Sequence, residues 1–121
     1  RIAEWRAAVT DNPAAGGAQP FAWGSAWPPP AGFANVASSE TKPVKSYQAN
    51  AGGFHDLAGN AAEWCADAGG DDRPYCGGSW KSSSRDELQI DAVKRAPAGT
   101  QSPEIGFRLV LDFHGSTATA P

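Results

Sequence analysis

Residues 53–64 read GFHDLAGNAAEW and run directly into Cys65. The stretch compresses two glycine clusters around Phe54 and Leu57, then gives way to a short run, residues 61–66, that fits a strand. Residues 67–74 have the Asp, Gly and Pro content of a turn, and residues 75–80, YCGGSW, read as a strand returning beside the first. The two runs predict an antiparallel pair at the centre of the fold.

Further along the chain, GFRLVLDF at residues 106–113 alternates Phe107, Leu109 and Leu111 with Arg108, Val110 and Asp112, the period of a half-buried strand. The tail, residues 114–121, is expected to fray. At the other end, RIAEWRAAV places Ile2, Trp5 and Val9 on one helical face among alanines, and Asp11-Asn12-Pro13 should end that helix. Residues 12–32 are rich in Pro, Ala and Gly, yet they carry Phe21, Trp23 and Trp27, so they read as an ordered excursion whose rings pack on the core. Residues 33–50 are polar and irregular.

Only 17 of the 121 residues are Leu, Ile, Val or Phe, and the formal net charge is −3. That charge is too low for a disordered chain, and five tryptophans supply part of the missing apolar mass. Fourteen glycines and ten prolines break the chain into short elements, so a single loop-rich domain is expected. A thin core of this kind needs help from a metal, a disulfide or a neighbouring segment. Mild acidity without a Lys/Arg cluster argues against nucleic acid as a partner. No apolar stretch is long enough to span a bilayer. The chain starts at Arg1 and contains no methionine, which suggests a processed or truncated start, and it offers no signal peptide to read.

Six islands in order carry a resemblance: AEWRAAV at Ala3–Val9, FAWG at Phe21–Gly24, FANV at Phe33–Val36, GFHDLAGNAAEW at Gly53–Trp64, CGGSW at Cys76–Trp80 and GFRLV at Gly106–Val110. Together they resemble the signature of the sulfatase-modifying factor family, the formylglycine-generating enzymes and their relatives. The resemblance implies an α+β, C-type-lectin-like fold, with a small twisted antiparallel sheet and much irregular structure. It assigns residues 1–113 to a partial domain whose N-terminal portion lies outside this sequence.

The resemblance also implies sites. Relatives hold calcium with the groups that match Asp56, the backbone of Gly59 and Ala61, and the side chain of Glu63, an oxygen set suited to a hard cation. The alternative is that both carboxylates cap turns. Asn35 and Val36 match the start of a second calcium site whose acidic ligand has no counterpart downstream, so no second ion is expected. In the family's enzymes two cysteines follow the GGS(W/Y) turn and bind Cu(I) before oxidising a substrate cysteine; here Ser82 and Glu87 fall at those places. A hydroxyl is a hard, neutral ligand that cannot hold Cu(I), so no copper is expected. His55 and His114 do not rebuild the three-histidine iron site of another branch.

Cys65 and Cys76 lie on the expected strand pair, within reach of a disulfide that would close a loop of about 10 residues. Two buried thiols are the alternative, and a zinc site with His55 lacks C-x-x-C spacing. Trp80, Lys81, Ser82, Ser83, Ser84 and Arg85 occupy the stretch that lines the family's substrate groove, either as a peptide or sugar site or as a core tryptophan with a solvated loop. Arg95 and Arg108 are expected to pair with carboxylates. The functional expectation is a non-catalytic binding or assembly module in a larger extracytoplasmic, periplasmic or secreted, protein, whose partner is another protein or the rest of the domain. Its rivals are a formylglycine-generating oxidase and a lectin-like variable protein that binds a ligand.

Overall fold

The computed structural model describes residues 1–10 and 19–111. It has one α-helix, α1 (Ile2–Thr10), and four short strands: β1 (Ala62–Trp64), β2 (Asp72–Cys76), β3 (Val93–Pro97) and β4 (Ile105–Gly106). One sheet orders them β3-β2-β1-β4. The β3–β2 and β2–β1 pairs are antiparallel, and β4 lies parallel to β1 with Ala62 opposite Ile105. No helix among the described residues is long and apolar enough to cross a membrane.

Helix α1 forms where the alanines lie, and it buries Trp5 and Val9, four residues apart on one face. Its first turn is capped from a distance: Asp67 Oδ2 accepts the Ile2 N–H at 2.7 Å, a carboxylate where the helix dipole favours one. The proposed stop at Asp11–Pro13 and the tail lie outside the described residues.

The helix packs on one sheet face. Trp5 and Val9 meet Leu57, Cys65, Cys76 and Ile90 in the main core. Each such side chain contributes about 1.5–3 kcal/mol on burial, so a core this small leaves little surplus. A second cluster lies in the Pro-rich excursion. Phe21 is fully buried, its ring stacked on Trp23 with centroids 4.9 Å apart and flanked by Trp27 at 5.5 Å. The Ile90 N–H donates to Pro20 O at 2.8 Å, tying that excursion to the loop before β3. The excursion is ordered as the sequence suggested, but its rings pack on one another rather than on the main core, and Trp27 stays partly exposed.

Three readings need correction. The returning strand starts at Asp72 and ends at Cys76, because Gly77 (φ 97°) and Gly78 (φ 66°) leave the extended region. Pro74, read as part of the turn, sits inside β2, with its carbonyl accepting from Cys65 N at 2.8 Å. The alternation after Gly106 does not make a half-buried strand. Phe107, Leu109, Val110 and Leu111 are 60–85% exposed, and only Ile105–Gly106 pair. Strand β3 was not foreseen. Its sequence, VKRAP, lacks an apolar rhythm, and its residues hold their places through pairing with β2.

Gly77 joins β2 to the loop above the core. A Cβ there would stand 2.6 Å from Leu57 O and 3.3 Å from the Trp5 ring, on a backbone that L-residues seldom adopt. Gly77→Ala is expected to destabilise the protein by about 2–4 kcal/mol. Urea unfolding followed by tryptophan fluorescence checks this, with Gly99→Ala, where a Cβ would meet nothing, as the near-neutral control.

Candidate functional site

Irregular segments build the site, and buried amides hold them together. Asn60, at φ 61°, is 7% exposed, and Asn35 is 2% exposed. The Asn60 N–H donates to Asn35 O at 2.8 Å, while Asn35 Nδ2 donates to Asn60 Oδ1 at 3.0 Å. Asn60 Oδ1 also accepts from Lys42 N at 2.8 Å, and Asn60 O accepts from Trp80 N at 2.7 Å. Segments 35–42, 59–60 and 77–82 thus become one unit. A buried polar network of this kind is favourable only when its members are satisfied.

Three of the four calcium residues of the sequence reading, Asp56, Ala61 and Glu63, line one cavity of about 330 Å³, whereas Gly59 does not line it. Asp56 Oδ2 accepts from Lys45 N at 2.9 Å. Glu63 is gripped by Arg108, whose Nε reaches both carboxylate oxygens at 3.1 and 3.2 Å and whose Nη2 reaches Oε1 at 2.8 Å. Arg108 Nη2 also donates to His55 O at 2.6 Å, which fixes the guanidinium between the two segments. Burial pushes the Glu63 carboxyl above its ordinary range against the pull of Arg108, and the nearby Asp56 carboxylate adds to the rise. The indole N–H of Trp5 is close enough to favour the ionised form of Glu63, yet it completes no hydrogen bond.

The donor set fits a hard cation in part. The carbonyls of Gly59 and Ala61 accept no hydrogen bond among the described residues, and a carboxylate held by Arg can still offer lone pairs. Four protein oxygens fall short of the six to eight that Ca²⁺ takes, so water would complete its shell. Among the described residues no three His, Cys, Asp or Glu side chains converge to hold a metal ion, so a cation here would rest on Asp56, Glu63 and backbone carbonyls. His55 Nδ1 is engaged with Tyr47 O at 2.9 Å, and His114 lies outside the described residues.

On the sheet face away from α1 lies a smaller cavity of about 90 Å³, lined in part by Ser79, Ser82, Glu87, Lys94 and Glu104. Gly77 and Gly78 turn the chain over it. Ser82, 5% exposed, accepts the Ser79 N–H at 3.0 Å, and Ser79 Oγ donates to Glu104 Oε1 at 2.9 Å. Glu87 Oε2 accepts from Ser83 N, Ser84 N and Ser84 Oγ at 3.0–3.2 Å, while Oε1 pairs with Lys94 at 3.1 Å. Burial opposes ionisation of Glu87, but the bonds from Ser84, Lys94 and Ser83 outweigh it and hold its pKa at about 2.

The stretch from Trp80 to Arg85 does not line one groove. Ser82 turns inward, whereas Lys81, Ser83, Ser84 and Arg85 are exposed. Trp80 Nε1 donates to Pro103 O at 3.2 Å, and the Arg85 guanidinium sits 5.4 Å above the Phe21 ring. Lys94 and Glu104 escaped the sequence reading. Their partners, Glu87 and Ser79, are 7 and 25 residues away, a distance that no local pattern marks.

Both cysteines face α1, on the opposite side of the sheet from Ser82. Their Sγ atoms are 3.8 Å apart as two buried thiols. Burial pushes Cys76 up to about 12 and raises Cys65 as well. Arg95 bonds the backbone carbonyls of Gly69 and Asp72, with no carboxylate partner among the described residues.

The description of the sulfatase-modifying factor enzyme 1-like domain matches residues 2–113. The chain belongs to that family. It is 37% identical to the serine/threonine-protein kinase pkn1 of Chlamydia caviae, over 62% of this chain and 15% of that protein. It is 33% identical to Pkn1 of Chlamydia trachomatis serovar L2, over 65% and 16%. The family domain here therefore spans about a sixth of the length of these relatives. Among solved structures, Treponema denticola variable protein 1 superposes with a TM-score of 0.74 at 27% identity, covering 88% of this chain and 44% of that one. CarF superposes with a TM-score of 0.63 at 28% identity, covering 87% and 43%. The fold is that of the formylglycine-generating enzymes and their C-type-lectin-like relatives, as the sequence motifs implied.

The saturation of Glu87 has a consequence in acid. Its folded pKa, about 2, lies below the ordinary 4.5, so its stabilisation is complete above pH 4.5 and is lost as pH falls through 2. Glu87→Gln should remove that part of the acid sensitivity. Melting temperatures of the two proteins, measured from pH 6 to pH 2, should differ most at pH 6 and converge at the acid end.

Proposed function

We propose that this chain is a non-catalytic member of the sulfatase-modifying factor family that serves recognition or assembly within a larger extracytoplasmic protein or complex. One observation carries the reading. The cavity beneath the Gly77-Gly78 turn presents Ser82 and Glu87, oxygen donors, where the family's enzymes are expected to present two thiols. Cu(I) favours thiolates, and a serine hydroxyl does not supply one. Cys65 and Cys76 are poor substitutes, since they lie across the sheet and burial keeps them protonated.

Calcium is the proposed structural ion, held by Asp56, Glu63 and the carbonyls of Gly59 and Ala61. An ion there would offset the burial that raises Glu63 and the repulsion from Asp56. In an oxidising compartment Cys65 and Cys76 would close a disulfide, because a movement of under ~2 Å brings the sulfurs from 3.8 Å to bonding distance. The small core would gain from such a bridge, which an extracytoplasmic location would allow to persist.

The superposition on a variable protein supports a second reading, in which this chain is a lectin-like module that binds a ligand. The kinase activity named for the Chlamydia relatives is not proposed here, since the match spans only 15–16% of those proteins.

Two measurements test the proposal. Incubation with a cysteine-containing sulfatase peptide, Cu(I) and oxygen should yield no formylglycine by mass spectrometry; turnover would reject the non-catalytic reading. Addition of 1 mM Ca²⁺, roughly 100 times a Kd of about 10 μM, should raise the melting temperature by several degrees in the wild type, reversibly with EDTA. Asp56→Asn should lose most of that shift, and an unchanged shift would remove calcium from this site.

A further inference from the structure

The small cavity beneath the Gly77-Gly78 turn carries a carboxylate without a counter-ion among the described residues. Glu87 and Glu104 both line it, and Lys94 lines it with them. Lys94 is paired with Glu87 at 3.1 Å, whereas Glu104 has no cationic partner among the described residues. The lining therefore keeps a net negative charge. Glu104 is nonetheless held in place. Its backbone carbonyl accepts the Ala62 N–H at 2.8 Å, and its own N–H donates to Ser102 Oγ at 3.1 Å. Its Oε1 accepts from Ser79 Oγ at 2.9 Å, and Ser79 is only 4% exposed. Oε2 makes no hydrogen bond among the described residues. A carboxylate fixed by one oxygen, with the other open, is preorganised for a donor that arrives from outside.

Size and chemistry narrow the occupant. A cavity of ~150 Å³ takes one benzene ring, so one of about 90 Å³ takes about four non-hydrogen atoms, too few for an aromatic or sugar ring. An anion would face the uncompensated charge of Glu104. Two carboxylates, one of them already paired, are too few for the oxygen shell of Ca²⁺. An organic cation meets neither objection. Its ammonium group has three N–H donors, and the hydroxyls of Ser82 and Ser102 line the cavity beside Glu104. Ala62, Tyr75 and Ile105 supply apolar wall for a methylene stem, and a tyrosine ring also attracts cations.

We propose that this cavity binds a primary ammonium group on a short, unbranched alkyl stem, with Glu104 as its counter-ion. A lysine side chain of a partner and a free alkylamine share this chemistry. The inference names the ligand class of the recognition site proposed above and rests on that reading. Ser79 holds the carboxylate from one side, and the ammonium takes the oxygen left open on the other. Lys94, though paired with Glu87, is a like charge in the same lining and weakens the site.

Titration of the isotope-labelled chain with n-propylamine hydrochloride at pH 7 and low salt, followed by NMR amide shifts, tests the proposal. Saturable shifts at residues 77–82 and 102–105 are expected, with a Kd of about 1 mM, within the ceiling for so small a ligand. Glu104→Gln, which keeps an oxygen for Ser79 Oγ, should bind at least about tenfold more weakly, as should n-propanol to the wild type. Lys94→Gln should bind at least about threefold more tightly, since it frees the Glu87 carboxylate, a gain that no merely structural role of Lys94 produces. Amide spectra unchanged away from the cavity verify the fold of both variants. Absence of saturable shifts, equal affinity for n-propanol or for Glu104→Gln, or weaker binding to Lys94→Gln would overturn the proposal. A capped Gly-Lys-Gly peptide that competes for the same shifts supports it with a partner's lysine as the source. Propylammonium binding without such competition supports it with a free amine as the source. A peptide that binds equally with its lysine acetylated contradicts it. Formylglycine production in the oxidation assay would remove the non-catalytic reading and leave these shifts as they are, so the two failures are distinguishable.

Discussion

The structure depends on two buried amides. Asn35 and Asn60 exchange backbone and side-chain hydrogen bonds, and through Lys42 and Trp80 they bind three irregular segments into one body. Regular elements cannot do this work here, since the longest strand has five residues and the helix nine. With so little aliphatic core, leaving either amide unpaired would cost about 1–3 kcal/mol for each stranded group, a large share of a small domain's stability.

The amides also place the chemistry. Trp80 N bonds Asn60 O, and the Ala37 N–H donates to Ser82 O at 2.9 Å, so the loop above the small cavity is fastened at two points. Ser82 is thereby held inward and Glu87 closes the rim, bonded to Ser83, Ser84 and Lys94. The loop thus closes over a cavity whose donors are hydroxyl and carboxylate. The other carboxylate site is organised from the far side of the same segment: Gly59 and Asn60 turn the chain, and Glu63 follows on β1 to meet Arg108. A single short motif sets both places.

Much of this was legible in the sequence where the signal was local. Trp5 and Val9 marked the helix face, and GNAAEW marked β1, while of CGGSW only Cys76 lies in β2. Asp56 and Glu63 were singled out together and do share a cavity wall. What escaped was non-local. Strand β3 is mostly exposed and owes its place to pairing with β2, so no burial rhythm marks it. Asn60, flanked by Gly and Ala, reads as a turn residue, and its role depends on Asn35, 25 positions earlier. Pro74 was counted as a breaker because its place within β2 depends on pairing. The alternation of residues 107–111 was read correctly as a pattern, but burial of that pattern needs a neighbour, and the described residues supply none.

A double-mutant cycle between Asn35 and Asn60 tests the central claim most directly. Asn35→Ala removes one amide, and Asn60→Gly removes the other while keeping the positive φ accessible. Urea unfolding of the four proteins should give single losses of about 2–4 kcal/mol and a coupling of at least about 1 kcal/mol, because the bond from Asn35 Nδ2 to Asn60 Oδ1 can be lost only once. Losses under about 0.5 kcal/mol that simply add would contradict the account, leaving the loops to be held by something other than these amides.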